Sequence, residues 1–363
     1  MRSTPESLET LLRLRGPLDE IKIIATGGMA EIFKARQPSL GRHIVVKRLK
    51  NELRSSPEIL ERFRREAHSL ATVLHQNVAH VYDFVEVNDD PLILMEFIDG
   101  IDVSTIIEKV GHLPADLAAS ILLGVAKGVS YIHAHNLIHR DIKPGNIRIT
   151  TRGEVKLMDF GIVMVIENES LTRPGMMVGS PSYLSPEQIL GDNISPRADI
   201  FLLGICLYEM LTGTRPFKNE DGETIFQRIR AAKYISPRKM QSTIPKALER
   251  IITKCLKLDP EARYRDVKAL VGDLEEFLGT EKSSRAEDMI LKFLDEEALI
   301  EPSVAYTDVN EETHQWRHYL KWPVMTAILV VGFIAFGGGY WMGKQGTKEL
   351  LKKIPSMSTP FRF

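Results

Sequence analysis

From Leu18 the chain alternates apolar and polar positions through Ile21 and Ile23, turns at Thr26-Gly27-Gly28, and resumes with Ala30, Ile32 and Phe33. A period of two on both sides of paired glycines predicts strand, turn, strand. His43-Ile44-Val45-Val46-Lys47 reads as a third strand, and Val78–Val87 and Leu92–Phe97 as two more. Between them the period changes. Ile59, Phe63, Ala67, Leu70 and Leu74 recur at three and four, which predicts an amphipathic helix from Pro57 to Leu74. After Pro114 the pattern is mostly helical: Leu117, Ile121, Leu122, Val125, Val129 and Ile132 form one stripe ending near Asn136. Two short apolar runs, Ile147–Thr150 and Val155–Met158, flank Thr151-Arg152-Gly153-Glu154 and read as a hairpin with a polar turn. Residues 162–178 show little periodicity and read as a mobile loop. Asp199 opens a very apolar helix to Leu211, and Met289–Ile300 suits one short helix. A strand-rich first part and a helical second part make an α+β chain.

Composition narrows the class without naming it. The 363 residues suffice for one large domain plus extras, and 26% charged with 44% hydrophobic residues is ordinary for a globular protein. A net charge of −1 argues against a nucleic-acid partner. Cys206 and Cys255 form no motif and sit in apolar helical stretches, so buried reduced thiols are expected. The first ten residues lack the apolar run of a signal peptide. One segment departs from this picture. Residues 323–342 carry no charge, and about 20 residues at roughly 1.5 Å each span about 30 Å of hydrocarbon. Trp322 at one end and Tyr340-Trp341 at the other suit the two membrane interfaces.

The chemistry gathers at the hairpin. Asp141, Lys143 and Asn146 precede it and Asp159 follows it, three oxygen donors and one cation. Mg²⁺ favours such oxygens, with phosphate oxygens completing its shell. The order His139-Arg140-Asp141, then Asn146, then Asp159-Phe160-Gly161 matches the H-R-D-x-x-x-x-N and D-F-G signatures. On these motifs the chain resembles the Hanks-type protein kinase superfamily, and Lys143 resembles its Ser/Thr branch, in the bacterial membrane-anchored form.

The resemblance implies a two-lobed fold, a β-rich small lobe and a helical large lobe, with ATP between them. It implies roles for particular residues. Asp141 would orient or deprotonate the acceptor hydroxyl, and Lys143 would offset charge on the transferring group. Asn146 and Asp159 would hold Mg²⁺, with Mn²⁺ as an alternate ion. The glycine loop would map to Ala25, Gly27, Gly28, Ala30 and Ile32, with alanines where the family pattern has its first and last glycines. Lys47 would pair the phosphates and Glu66 would pair Lys47, an inward-facing position at the edge of the helical stripe. Val45, Met95, Glu96, Ile98 and Arg148 would surround adenine; valine replaces the usual alanine at 45 and arginine the usual apolar residue at 148. Ser180 would contact Asp141 and Lys143, and Asp199 would cap the catalytic loop. Glu187, in Ser185-Pro186-Glu187, would pair with Arg263. Arg140 before the catalytic base implies control by phosphorylation of the loop, where Thr172 and then Ser170 are the candidate sites.

These features divide the chain into a tail (1–17), a kinase domain (18–280), a juxtamembrane linker (281–321), a transmembrane helix (322–343) and a short basic tail (344–363). Arg317 and Lys321 precede the span, while Lys344, Lys348, Lys352, Lys353 and Arg362 follow it. The positive-inside bias would keep that tail in the cytoplasm, whereas ATP requires the catalytic domain there. The ATP requirement is the stronger constraint. Ala335, Gly339 and Gly343 recur every four residues and could join two copies within the bilayer. The expected activity is phosphoryl transfer from ATP to Ser or Thr of proteins, with autophosphorylation of the loop. A membrane-tethered pseudokinase or adaptor, binding partners or nucleotide without turnover, is the alternative.

Overall fold

The computed structural model describes residues 18–27, 30–87, 90–159 and 181–300, apart from the side chains of Arg62, Glu66 and Val87. The small lobe is a five-stranded antiparallel sheet in the order β1-β2-β3-β5-β4. Its strands are β1 (Asp19–Thr26), β2 (Ala30–Gln37), β3 (Arg42–Leu49), β4 (Val81–Val87) and β5 (Asp90–Glu96). Alternation along β3 sorts its side chains between two cores. Ile44 and Val46 join Phe33, Leu92 and Leu94 on one face, while Val45 and Leu49 join Phe63, Ala67 and Leu70 on the other. The latter three come from helix α1 (Pro57–Ala71), which starts at an N-cap where Ser56 accepts from the Ile59 amide. The helix ends at Ala71, three residues short of the expected Leu74. Leu74 therefore lies beyond the inward stripe and is 67% exposed. The expected strand from Val78 starts at Val81; Val78 instead bridges to Leu157.

The large lobe is built around α3 (Ala115–Ala134), which follows α2 (Val103–Val110). Helix α3 is long and apolar enough to cross a bilayer, yet 12 of its 20 residues are buried inside the lobe. All six residues of its expected stripe are buried. Helix α4 (Arg197–Thr212) packs against α3 and against α5 (Lys246–Cys255). Cys206 and Cys255 are buried free thiols within these helices. A second antiparallel sheet, β6 (Gly100–Asp102), β7 (Ile147–Thr150) and β8 (Val155–Leu157), lies over α3 and contains the β7–β8 hairpin. Strand β6 has too short a run to register in the sequence pattern. It pairs so closely with β7 that a side-chain carbon on Gly100 would sit 1.9 Å from the Ile149 carbonyl oxygen.

The packed chain continues beyond 280, where the sequence pattern placed the start of a linker. Helix α6 (Val267–Ser284), kinked at Gly279 with φ +69°, leads into α7 (Ala286–Glu296). Ile290 and Leu294 of α7 are each 1% exposed. Their spacing of four puts them on one face, directed into the large lobe. The chain divides into two units at 301/302. The membrane-spanning segment and basic tail lie outside the described residues, as do the N-terminal tail and residues 301–321 of the linker.

Candidate active site

The catalytic loop is fixed from beneath. Asp199, fully buried near the start of α4, accepts from the His139 amide at 2.9 Å, the Arg140 amide at 2.8 Å and His133 Nε2 at 2.7 Å. Burial pushes its carboxyl up, but the hydrogen bond and charge of His133, with His139 and the Arg140 amide, hold it below its ordinary value overall. These bonds support Arg140 in the left-handed region at φ +67°. His139 is also fully buried. Its Nδ1 accepts from the Asp141 amide and its Nε2 meets the Met158 carbonyl at 3.1 Å, so one neutral tautomer serves both contacts. Burial keeps its pKa below the ordinary value despite the nearby carboxylates.

On this base the polar side chains converge. Lys143 Nζ donates to both Asp141 carboxylate oxygens, at 3.0 and 2.7 Å. Asn146 Nδ2 donates to Asp141 Oδ2 at 2.9 Å and to the Asp141 carbonyl at 2.8 Å. With its amide hydrogens engaged there, Asn146 has Oδ1 left to face a cation. Asp159, at φ +45°, accepts from Lys47 Nζ at 3.1 Å across the cleft. The Lys47 charge is the main reason its carboxyl stays below the ordinary range, against the opposing effect of burial. Asp159 therefore remains anionic at neutral pH. Among the described residues no three His, Cys, Asp or Glu side chains form a ready metal cluster. Two oxygen donors beside the Lys47 ammonium fit a hard ion shared with phosphate oxygens, so the chemistry of the donor set suits a divalent ion such as Mg²⁺.

The residues expected to surround the nucleotide also assemble. Val45 and Lys47 lie on one face of β3, opposite Met95 and Ile93 of β5, and Ile32 pairs with Lys47 across β2–β3. Val45, Met95 and Ile98 are buried and Ile32 packs against the same cluster. Ala25 pairs with Ile32, bringing the first strand over this surface, and Ala30 is buried at the start of β2. The Glu96 carboxylate meets Lys156 Nζ at 3.0 Å and accepts from the His80 amide at 3.1 Å. Arg148 turns its guanidinium to the Gly100 carbonyl at 2.7 Å. The side chain thus lies along the chain segment after Ile98 as a hydrogen-bonded strut. Glu187 and Arg263 form the expected pair, bidentate at 2.8 and 2.9 Å and buried on both sides.

Some expected residues fall outside the described ones: Gly28, the Glu66 side chain, Phe160, Gly161, Ser170, Thr172 and Ser180. Others went unnoticed in the sequence. Ser185 caps the helix Pro186–Leu190 through a capping box with Gln188, and Gln188 Nε2 donates to the Arg140 carbonyl at 3.1 Å. The S-x-x-Q spacing was the available signal. Tyr183 donates to Glu209 at 2.6 Å in a groove of about 890 Å³ that also contains Ser104, Ile107, Arg215 and Lys218. No local pattern links residues so far apart.

Comparison with known proteins agrees with this geometry. Residues 18–272 match the protein kinase domain family. A probable serine/threonine-protein kinase of Clostridium perfringens is 38% identical over 255 residues, covering 70% of this chain and 37% of that protein. The serine/threonine-protein kinase PknA of Mycobacterium tuberculosis is 36% identical over 251 residues, covering 67% and 57%. The chain thus spans less than two thirds of either relative. The crystal structure of the Mycobacterium tuberculosis PknI kinase domain superposes with a TM-score of 0.56 over 71% of this chain and 96% of that one, at 22% identity, a likeness of fold.

Proposed function

This chain belongs to the protein kinase domain family, and from that premise we propose that it transfers the γ-phosphoryl group of ATP to Ser and Thr hydroxyls of proteins. The observation that carries the reading is the convergence of Asp141, Lys143, Asn146 and Asp159 at one end of the hairpin, with Lys47 reaching Asp159 across the cleft. The acceptor hydroxyl would lie against Asp141, which orients it and takes its proton as the oxygen attacks the γ-phosphorus. The bond to the β,γ-bridging oxygen breaks and ADP leaves. Lys143, already on the Asp141 carboxylate, would offset charge on the transferring group, and Lys47 would move from Asp159 to the phosphates. Asn146 and Asp159 would hold Mg²⁺, which supplies charge neutralisation to the phosphate oxygens. Catalysis is then positioning plus electrostatics.

Full-length chain incubated with Mg²⁺ and radiolabelled ATP should label a generic protein substrate, and Asp141→Asn should not. Equal labelling by both would sink the proposal. Nucleotide binding without transfer would favour the pseudokinase alternative.

Three further parts of the reading rest on sequence. Autophosphorylation at Thr172, or at Ser170, gains support from Arg140, whose buried Nε has no hydrogen-bond partner among the described residues. Peptide mapping of ATP-treated protein tests it. Residues 322–343 would anchor the chain in the cell membrane with the catalytic domain in the cytoplasm. A tag after Phe363 that is protected from protease in spheroplasts would contradict that orientation. Pairing of two spans through Ala335, Gly339 and Gly343 would bring two loops together. It predicts that removing residues 317–363 slows autophosphorylation at matched dilute concentration.

A further inference from the structure

Helix α7 (Ala286–Glu296) lies beyond the region matched by the family, residues 18–272, yet it touches the catalytic hairpin directly. The contact is at Gly153, in the turn between β7 and β8. Gly153 has φ +81°, and a side-chain carbon there would sit 2.5 Å from the Glu287 carbonyl oxygen and 2.8 Å from Leu291 Cγ. Glu287 and Leu291 are one turn apart, so the glycine meets a single patch of the helix. Ile290 and Leu294 root that helix in the large lobe.

The opposite end of the hairpin is the metal-facing end. Asn146 immediately precedes β7, and Met158-Asp159 immediately follows β8. The Met158 amide donates to the Asn146 carbonyl at 2.7 Å and closes that end. The turn is held by the Thr151 amide to the Asp99 carbonyl at 3.2 Å, bonds within the turn around Thr150, the pairing of Thr150 with Gly100 of β6, an Arg152–Glu154 ion pair at 3.5 Å, and α7. Strands of about four residues, roughly 13 Å long, form a short stiff element. Between its two ends the hairpin is pinned, β7 to β6 and β8 through the Asn77 Nδ2 bond to the Val155 carbonyl at 2.9 Å, so tilting at the turn would pivot about these points and shift the oxygens of Asn146 and Asp159.

We propose that α7 is a working part of the catalytic unit: seated on Gly153, it fixes the hairpin and thereby positions Asn146 and Asp159 for the metal–nucleotide complex. Leu291 and Gly153 are positioning residues in this scheme. It rests on the kinase reading for its consequence in turnover, but its structural core is tested without turnover.

The test uses the full-length chain and two sets of variants that reach the contact from opposite sides. Ile290→Ala/Leu294→Ala loosens the helix, and Gly153→Ala wedges it away. Leu291→Ala is the milder variant should the pair fail to fold, and Ile290→Val/Leu294→Met is the conservative control. Leu248→Ala, in the core of α5 away from the hairpin, is a second control that lowers the melting temperature. Calorimetry measures binding of Mg²⁺ with a non-hydrolysable ATP analogue, and hydrogen exchange follows the amides of residues 147–157. Both sets should weaken binding by about threefold to tenfold and speed exchange in the hairpin, because small misplacements of ligating groups are costly. Leu248→Ala and the conservative pair should do neither. Combining the two sets should give less than the product of their separate effects, as for residues sharing one contact. Wild-type binding and exchange in the helix variants, or an equal loss in Leu248→Ala, would overturn the proposal. If transfer by the wild-type chain fails to exceed that of Asp141→Asn, the kinase reading fails, while binding and exchange still decide the role of α7.

Discussion

On one wall of the cleft, His139, Asp141, Lys143, Asn146 and Asp199 hold one another and their backbone through hydrogen bonds. On the other, Ile32, Val45, Met95 and Ile98 meet through apolar contact. The two kinds of wall have different tolerances. Hydrogen bonds between charged groups are directional, and removing one partner strands the others. Apolar surfaces accept volume-conserving exchange at modest cost. The catalytic wall should therefore fail sharply, and the nucleotide wall gradually.

The largest expected effect is on the catalytic wall. Asp141→Asn keeps the shape of the side chain but removes the proton acceptor, and should lower kcat by about 10²- to 10⁴-fold. Its melting temperature should stay close to that of the wild type by calorimetry. A loss of activity explained by unfolding would break the comparison. Next comes a directional pair outside the cleft. Arg263→Ala leaves Glu187 buried without its cation and should destabilise the protein by about 3–5 kcal/mol in urea unfolding. A small loss there would mean that directional bonding alone does not make a site brittle. On the nucleotide wall, Met95→Leu should cost less than about 1.5 kcal/mol in urea unfolding, with ATP still bound. A complete loss of binding would contradict the graded wall.

The smallest effect concerns pH. His139 is neutral in the folded state because burial lowers its pKa. Above about pH 6.5 the unfolded chain is neutral at this position too, and no dependence arises. As pH falls below that, only the unfolded chain takes up the proton, so stability declines toward the folded pKa by at most about 1.4 kcal/mol per unit. His139→Gln should flatten this part of the curve. A profile from pH 6.5 to 5 that does not change on substitution would show that His139 titrates alike in both states.

The catalytic wall was legible in the sequence because its parts lie close together in the chain. Asp141, Lys143, Asn146 and Asp159 flank one hairpin, and their spacing is set by two short strands and a turn. Asp199 and Arg263 were legible only through the family resemblance, since their partners lie 60 and 76 residues away. Strand β6 was missed because three residues give no measurable period. Leu74 was misplaced because apolar spacing continues past the point where α1 stops at Ala71. The packing of α7 against the lobe was hidden for a different reason. Charged residues are interspersed through α7, and only Ile290 and Leu294 are fully buried, with Phe293 partly so. The turn at Gly153 gave a polar-turn signal but not the helix pressed against it.

The central claim is that the four polar groups at the end of the hairpin transfer a phosphoryl group to protein hydroxyls. Mass spectrometry of a protein substrate after incubation with full-length chain, ATP and Mg²⁺ tests it most directly. The account predicts phosphoserine or phosphothreonine that accumulates with time and is absent with Asp141→Asn. An unmodified substrate, or one modified equally by the variant, would contradict it.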